Sequence, residues 1–85
     1  MDEATLLTRI QRAFHAAFGT SPSLVTMNAT PDAISGWDSL GHAVLANKLE
    51  QEFGLSFDID ELMAMEDVKS IVSVLNRKLF FLAVA

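Results

Sequence analysis

Gly36-Trp37-Asp38-Ser39-Leu40 is the stretch on which the reading of this chain turns. It stands where a long polar segment gives way to an amphipathic run. Asp38 has the chemistry of a helix N-cap, because its carboxylate can accept from a backbone N–H that the first turn leaves unpaired. Ser39 is then the first helical residue. A serine in that place is poorly equipped for nucleophilic catalysis, which needs a base within hydrogen-bond reach and a third group to orient it. No such set surrounds it in the sequence. The hydroxyl reads instead as a handle to which another enzyme attaches a group.

Working outward, the helix that begins at Ser39 is expected to run to Phe53, with Gly54 as its terminator. Leu40, Ala43, Ala46, Leu49 and Phe53 trace its expected buried stripe, flanked by Leu45. Upstream, Thr5 to Phe18 carries Leu6, Ile10, Phe14 and Ala17 at helical spacing, with Asp2 placed to cap it and Gly19 to end it. Residues 19–37 hold both prolines, Gly36 and a run of Ser, Thr, Asn and Asp. A loop of that length needs anchoring, and Leu24, Val25, Met27 and Ile34 are the side chains expected to pin it to the core.

Downstream, Leu55, Phe57 and Ile59 alternate with Ser56 and Asp58. One short strand without a partner cannot make a sheet, so this reads as an extended connector. Asp60 to Met65 can make one or two helical turns, and Asp67 caps a last helix through Val68, Ile71, Val72, Leu75 and Leu79. The expectation is a single all-α domain over residues 1–85, with four helices, a long first loop and a short third helix.

The bulk composition narrows the function. A chain of 85 residues buries only about 60–65% of its unfolded surface, and its 51% hydrophobic content is enough to do so. The chain has no cysteine, which excludes disulfides, thiolate catalysis and cysteine metal sites. His15 and His42 stand apart among scattered acids and form no ligand set, so no metal site is expected. The net charge of −5 argues against nucleic acid and favours partners with basic docking surfaces. Asp2 and Glu3 occupy the place of a signal peptide's basic region, and no apolar run reaches the roughly 18–20 residues of a membrane span. A cytoplasmic monomer is the expectation.

The order of these elements around Asp38-Ser39-Leu40 resembles the acyl carrier protein family. The Leu49-Glu50-Gln51-Glu52-Phe53 end of the second helix, then Phe57, Asp60-Glu61, Met65 and Val68, continue the likeness, which is strongest over residues 34–75. It implies a four-helix bundle of the acyl carrier type. It also implies that a separate phosphopantetheinyl transferase attaches 4′-phosphopantetheine to Ser39, flanked by Asp38 and Leu40. Asp38 inherits from the family a share in the transferase's magnesium coordination. The arm's thiol would carry acyl groups as thioesters between enzymes of fatty-acid, polyketide or related lipid synthesis, and the carrier itself would be no enzyme. Ala43, Leu45, Ala46, Leu49, Leu62, Met65, Val68 and Ile71 match the positions of the family's acyl-chain cleft.

The chain departs from the family where partners dock. Gly41 and Val44 stand at two positions that are acidic in the fatty-acid carriers, and His42 and Lys48 dilute the negative surface further. Docking is therefore expected to shift toward the third helix, through Val44, Glu50, Asp60, Glu61 and Asp67. Gly41 weakens its helix by about 0.8–1 kcal/mol relative to alanine, either as tolerated drift or to admit a partner's backbone. His42 lies one turn after Ser39 and reads as a solvated surface residue. The uncharged run from Leu79 to Ala85 is apolar all round; about half of it is expected to pack, with Phe81 or Leu82 over the first helix, and the alternative is a docking or self-association surface. Two other readings stay open: an aminoacyl or peptidyl carrier, which the Trp37-Asp38 pair disfavours, and an unmodified helical interaction domain.

Overall fold

Four aspartates open four helices. In the computed structural model, which describes residues 1–84, these are α1 (Glu3–Phe18), α2 (Ser39–Phe53), α3 (Ile59–Ala64) and α4 (Val68–Val84). Asp2 accepts from the Thr5 amide at 2.7 Å, Asp38 from Gly41 at 2.7 Å, and Asp67 from Ser70 at 2.7 Å. Asp58 accepts from Glu61 at 2.8 Å, while the Glu61 carboxylate accepts in return from the Asp58 amide at 3.0 Å. That reciprocal capping box starts α3 one residue earlier than its apolar pattern suggests. Each such cap stabilises its helix by about 0.5–2 kcal/mol relative to alanine. Gly19 and Gly54 end α1 and α2 in the left-handed conformation, at φ of 72° and 67°.

α1 lies along α2, and α3 leans on α4. Leu6, Ile10 and Phe14 of α1 meet Leu45, Leu49 and Phe53 of α2, with Val68, Ile71 and Leu75 of α4 completing the core. On α1, Ala13 is buried and Ala17 only partly so. At one end of the α1–α2 pair Arg9 donates to the Glu52 carboxylate and carbonyl, and its guanidinium stacks 4.4 Å above the Phe53 ring.

The buried stripe of α2 differs from the expected one. Leu40 is 85% exposed and Ala43 is exposed, whereas Leu45, Ala46, Leu49 and Phe53 are buried. Positions 42, 45, 46 and 49 obey the i, i+3, i+4, i+7 rule. His42, not Leu40 or Ala43, therefore begins the inward face. Trp37, which precedes the helix, is only 5% exposed and bonds this first inward residue through its indole N–H.

The first loop is anchored in several places. Turns of 3₁₀ helix at Pro22–Leu24 and Pro31–Ala33 shape it, and Val25, Ala29, Ile34 and Trp37 are buried. Met27 packs against the core, but Leu24 is 55% exposed and pins nothing. Gln11 donates to the Val25 carbonyl at 3.0 Å, and the Val68 amide to the Ala29 carbonyl at 3.1 Å. The second of these bonds ties the loop to the start of α4.

α4 continues through Val84. Phe80, Phe81, Leu82 and Val84 remain exposed, so the expected half-packing of the apolar run does not occur; Leu79 alone among its large side chains packs on the core. Phe81 and Leu82 lie beside Gly54, Leu55 and Ser56 instead of over α1. Ala85, the last residue of that run, falls outside the described residues. Among the described residues no helix is long and apolar enough to cross a membrane.

Candidate functional site

Ser39 occupies the first position of α2, exposed, and among the described residues its hydroxyl makes no hydrogen bond. Asp38 caps the helix through the Gly41 amide and so fixes the direction from which Ser39 projects. The unpaired amides and the positive end of the helix dipole favour negative charge at this place, by about 0.3–1 kcal/mol at an exposed site. A phosphodiester on the Ser39 oxygen meets that field, and nothing covers the hydroxyl. The residues present fit a phosphate-linked group.

Beside Ser39 lies a cavity of about 410 Å³. The start of α2 and the residues before it contribute Trp37, Asp38, Ser39 and His42 to its lining, α3 and the turn after it contribute Leu62, Met63, Met65 and Glu66, and the first loop contributes Pro31. Of the eight positions matched to an acyl-chain cleft, Leu62 and Met65 therefore border the cavity that adjoins the serine. Leu45, Ala46, Leu49, Val68 and Ile71 are buried in the core, and Ala43 faces solvent.

His42 is not the solvated residue its position suggests. It is half-buried, its Nδ1 accepts from the Trp37 indole N–H at 2.9 Å, and its Nε2 stands 2.8 Å from the Leu62 carbonyl. The Trp37 ring in turn meets Phe14 edge-on at 4.9 Å. With both nitrogens engaged, His42 has none free to take the Ser39 proton in this arrangement. The sequence signal was the placing of Trp37 and His42 on either side of a helix start, but only the indole's inward turn makes them partners.

Gly41 has a reason different from both of those expected. A Cβ there would overlap the Gly36 carbonyl and press on the Phe18 ring. The chain's own loop, not a partner, approaches the helix at this point. Gly36 itself has φ of 93°, which glycine adopts without strain, and so turns the loop back toward α2.

The acids assigned to docking divide into two groups. Glu50 accepts from the Phe57 amide at 2.9 Å, Glu61 serves the capping box and binds Lys78 at 2.8 Å, and Asp67 caps α4. The Lys78 ammonium and the Asp58 amide hold the Glu61 carboxyl below its ordinary range. Bonds from Ser70 hold Asp67 below its own. Asp60 is exposed and makes no side-chain hydrogen bond or ion pair among the described residues, and the apolar Val44 is exposed as well. Leu40, Ile59 and Met63 are further exposed apolar side chains. His15 makes only a long 3.4 Å contact with the Thr20 carbonyl. Among the described residues no three histidine or carboxylate side chains cluster as metal ligands.

Residues 35–75 match the family described as the phosphopantetheine attachment site. The match is to an acyl carrier protein-type domain. It is also similar to the non-reducing polyketide synthase pkdA of Emericella nidulans, 35% identical over 72 residues that make up 84% of this chain. The chain spans only 3% of that relative's length. The matched region includes all of α2 and α3, the lining residues of the cavity from Trp37 onward, and the first turns of α4. The prosthetic group that this family binds covalently is 4′-phosphopantetheine, and carrier domains of this kind work with biosynthetic enzymes.

Proposed function

We propose that Ser39 is the residue that receives 4′-phosphopantetheine from a separate transferase, and that the loaded protein is a non-catalytic shuttle for acyl groups. The observation that carries this reading is an exposed, unbonded serine hydroxyl at the capped start of α2, within the region that matches a carrier-type domain. The arm supplies a terminal thiol that holds its cargo as a thioester, which accounts for a carrier without any cysteine. Asp38 presents the serine, and Leu40, 85% exposed beside it, offers the transferase an apolar contact. The similarity to a polyketide synthase favours acyl over aminoacyl cargo, from fatty-acid, polyketide or related lipid synthesis. Leu62 and Met65 line the cavity the arm meets first. Val44 and Asp60 are the docking residues left free to act, toward partners with mixed apolar and basic surfaces.

Incubation with coenzyme A and a broad-specificity phosphopantetheinyl transferase, followed by intact mass measurement, tests the assignment. A gain of one phosphopantetheine is expected, and none in Ser39→Ala. No gain in the native chain, under conditions that modify a control carrier, would remove the proposal.

A further inference from the structure

α3 has six residues, too few to be stable alone, since isolated helices shorter than about 12–15 residues are marginal in water. Its first turn is secured by the capping box and by Lys78 on Glu61. Its last turn presents carbonyls that no helical amide reaches. The Leu62 carbonyl is one of them, and it receives His42. That contact is the one hydrogen bond from α2 to α3 among the described residues.

The partners fix the state of the imidazole. An indole N–H can only donate, so Nδ1 of His42 must be an acceptor. The ring proton then resides on Nε2 and is donated to the Leu62 carbonyl. Trp37, His42 and Leu62 thus form a directed chain of hydrogen bonds from the loop, through α2, to the far end of α3. The same three residues border the cavity beside Ser39. Loss of the His42 contact would release the wall that Leu62, Met63 and Met65 make.

We propose that neutral His42, protonated on Nε2, is the positioning residue that sets the width of the cavity beside Ser39 and so orders the prosthetic arm where it leaves the serine. The part concerning the arm rests on Ser39 being the attachment residue; the part concerning the wall does not. His42 touches no reacting atom. It acts through the Leu62 carbonyl, with Trp37 holding its tautomer.

The test separates the two parts. On the unmodified protein, imidazole ¹⁵N spectra near neutral pH should show His42 in the single Nε2–H tautomer. In His42→Leu, amide hydrogen exchange at Met63 to Met65 should rise by about tenfold, the equivalent of one hydrogen bond of roughly 1.4 kcal/mol. His42→Gln keeps an acceptor and a donor at its tip and should restore most of the protection. If His42→Leu fails to fold, Trp37→Phe removes the indole donor alone and should let both imidazole tautomers appear. On the protein loaded with phosphopantetheine, the Met63 and Met65 methyl resonances should shift on loading in the native chain and in His42→Gln, and shift far less in His42→Leu. An averaged or Nδ1–H imidazole in the native chain, or unchanged exchange in His42→Leu, overturns the strut. Equal loading shifts in all three proteins overturn its effect on the arm. Failure to load the native chain counts against Ser39 and leaves the exchange result to decide the strut.

Discussion

At Gly41 two demands on one residue oppose each other, and their magnitudes decide which wins. Helix propensity favours alanine over glycine by about 0.8–1 kcal/mol. The Gly36 carbonyl, however, occupies the place a Cβ would take, and the Phe18 ring closes the other side. Backbone cannot yield as a flexible side chain does, and overpacking of this kind costs about 1–3 kcal/mol. Gly41→Ala is therefore expected to destabilise the fold, net, by about 1 kcal/mol or more, seen as a lower midpoint in urea denaturation. A midpoint equal to or above that of the native protein would show that the loop moves aside freely. The sequence exposed the conflict at Gly41 without its resolution, because a glycine in a helix has a local cost that can be read and a tertiary reason that cannot. The same limit hid His42. Its ring nitrogens have partners at positions 37 and 62, and neither is set by helical periodicity.

At the scale of elements, the helix starts were legible because capping is local chemistry. Asp2, Asp38 and Asp67 could be read as caps from their place before an apolar run, and all three cap. The buried face of α2 was less legible, since it begins at a histidine bonded to Trp37 and Leu62, while apolar Leu40 and Ala43 face solvent. α3 shows the dependence of a short element on a single side chain. Glu61 closes its capping box and joins it to α4 through Lys78 at 2.8 Å and 3.0 Å, with both side chains mostly buried. The Lys78 bond is the largest cause of the lowered Glu61 pKa. A carboxylate held below its unfolded value stabilises the fold fully above that value and ceases to do so as pH falls through the folded one. Glu61→Gln cannot ionise, so its deficit against the native protein should be about 1 kcal/mol at neutral pH. The deficit should shrink as pH falls below the ordinary glutamate value of 4.5. Thermal melts of both proteins from pH 7 to pH 3 measure this, and a constant gap in melting temperature would mean that the ion pair contributes nothing.

At the scale of the molecule, the net charge of −5 overstates the charge available for steering a partner. Four aspartates are committed to helix starts, Glu50 and Glu61 to backbone amides, and Glu52 to Arg9 and Arg12. Asp60 is among the few acids both exposed and unengaged on the side of the molecule that α3 presents. Apolar side chains are exposed nearer Ser39: Leu40 beside it at 85%, Met63 of the adjoining cavity at 72%, and Val44 on α2 at 44%. Apolar anchors that become buried carry more interface energy than rim charges, which act mainly on association rate. Val44→Lys should therefore slow transferase modification of Ser39 by about tenfold, a typical anchor loss of about 1–2 kcal/mol. Asp60→Lys should slow it less, and its deficit should fade with added salt. Neither change should move stability by more than about 0.5 kcal/mol, since both positions are exposed. Glu61→Lys cannot serve in this comparison, because it removes the capping box and the Lys78 pair and so unmakes α3 along with any contact. Rates of phosphopantetheine transfer at low and high salt, with urea midpoints as the control, distinguish the terms. A Val44→Lys rate equal to the native one, beside a large salt-sensitive loss in Asp60→Lys, would show that charge governs docking despite these exposed apolar side chains.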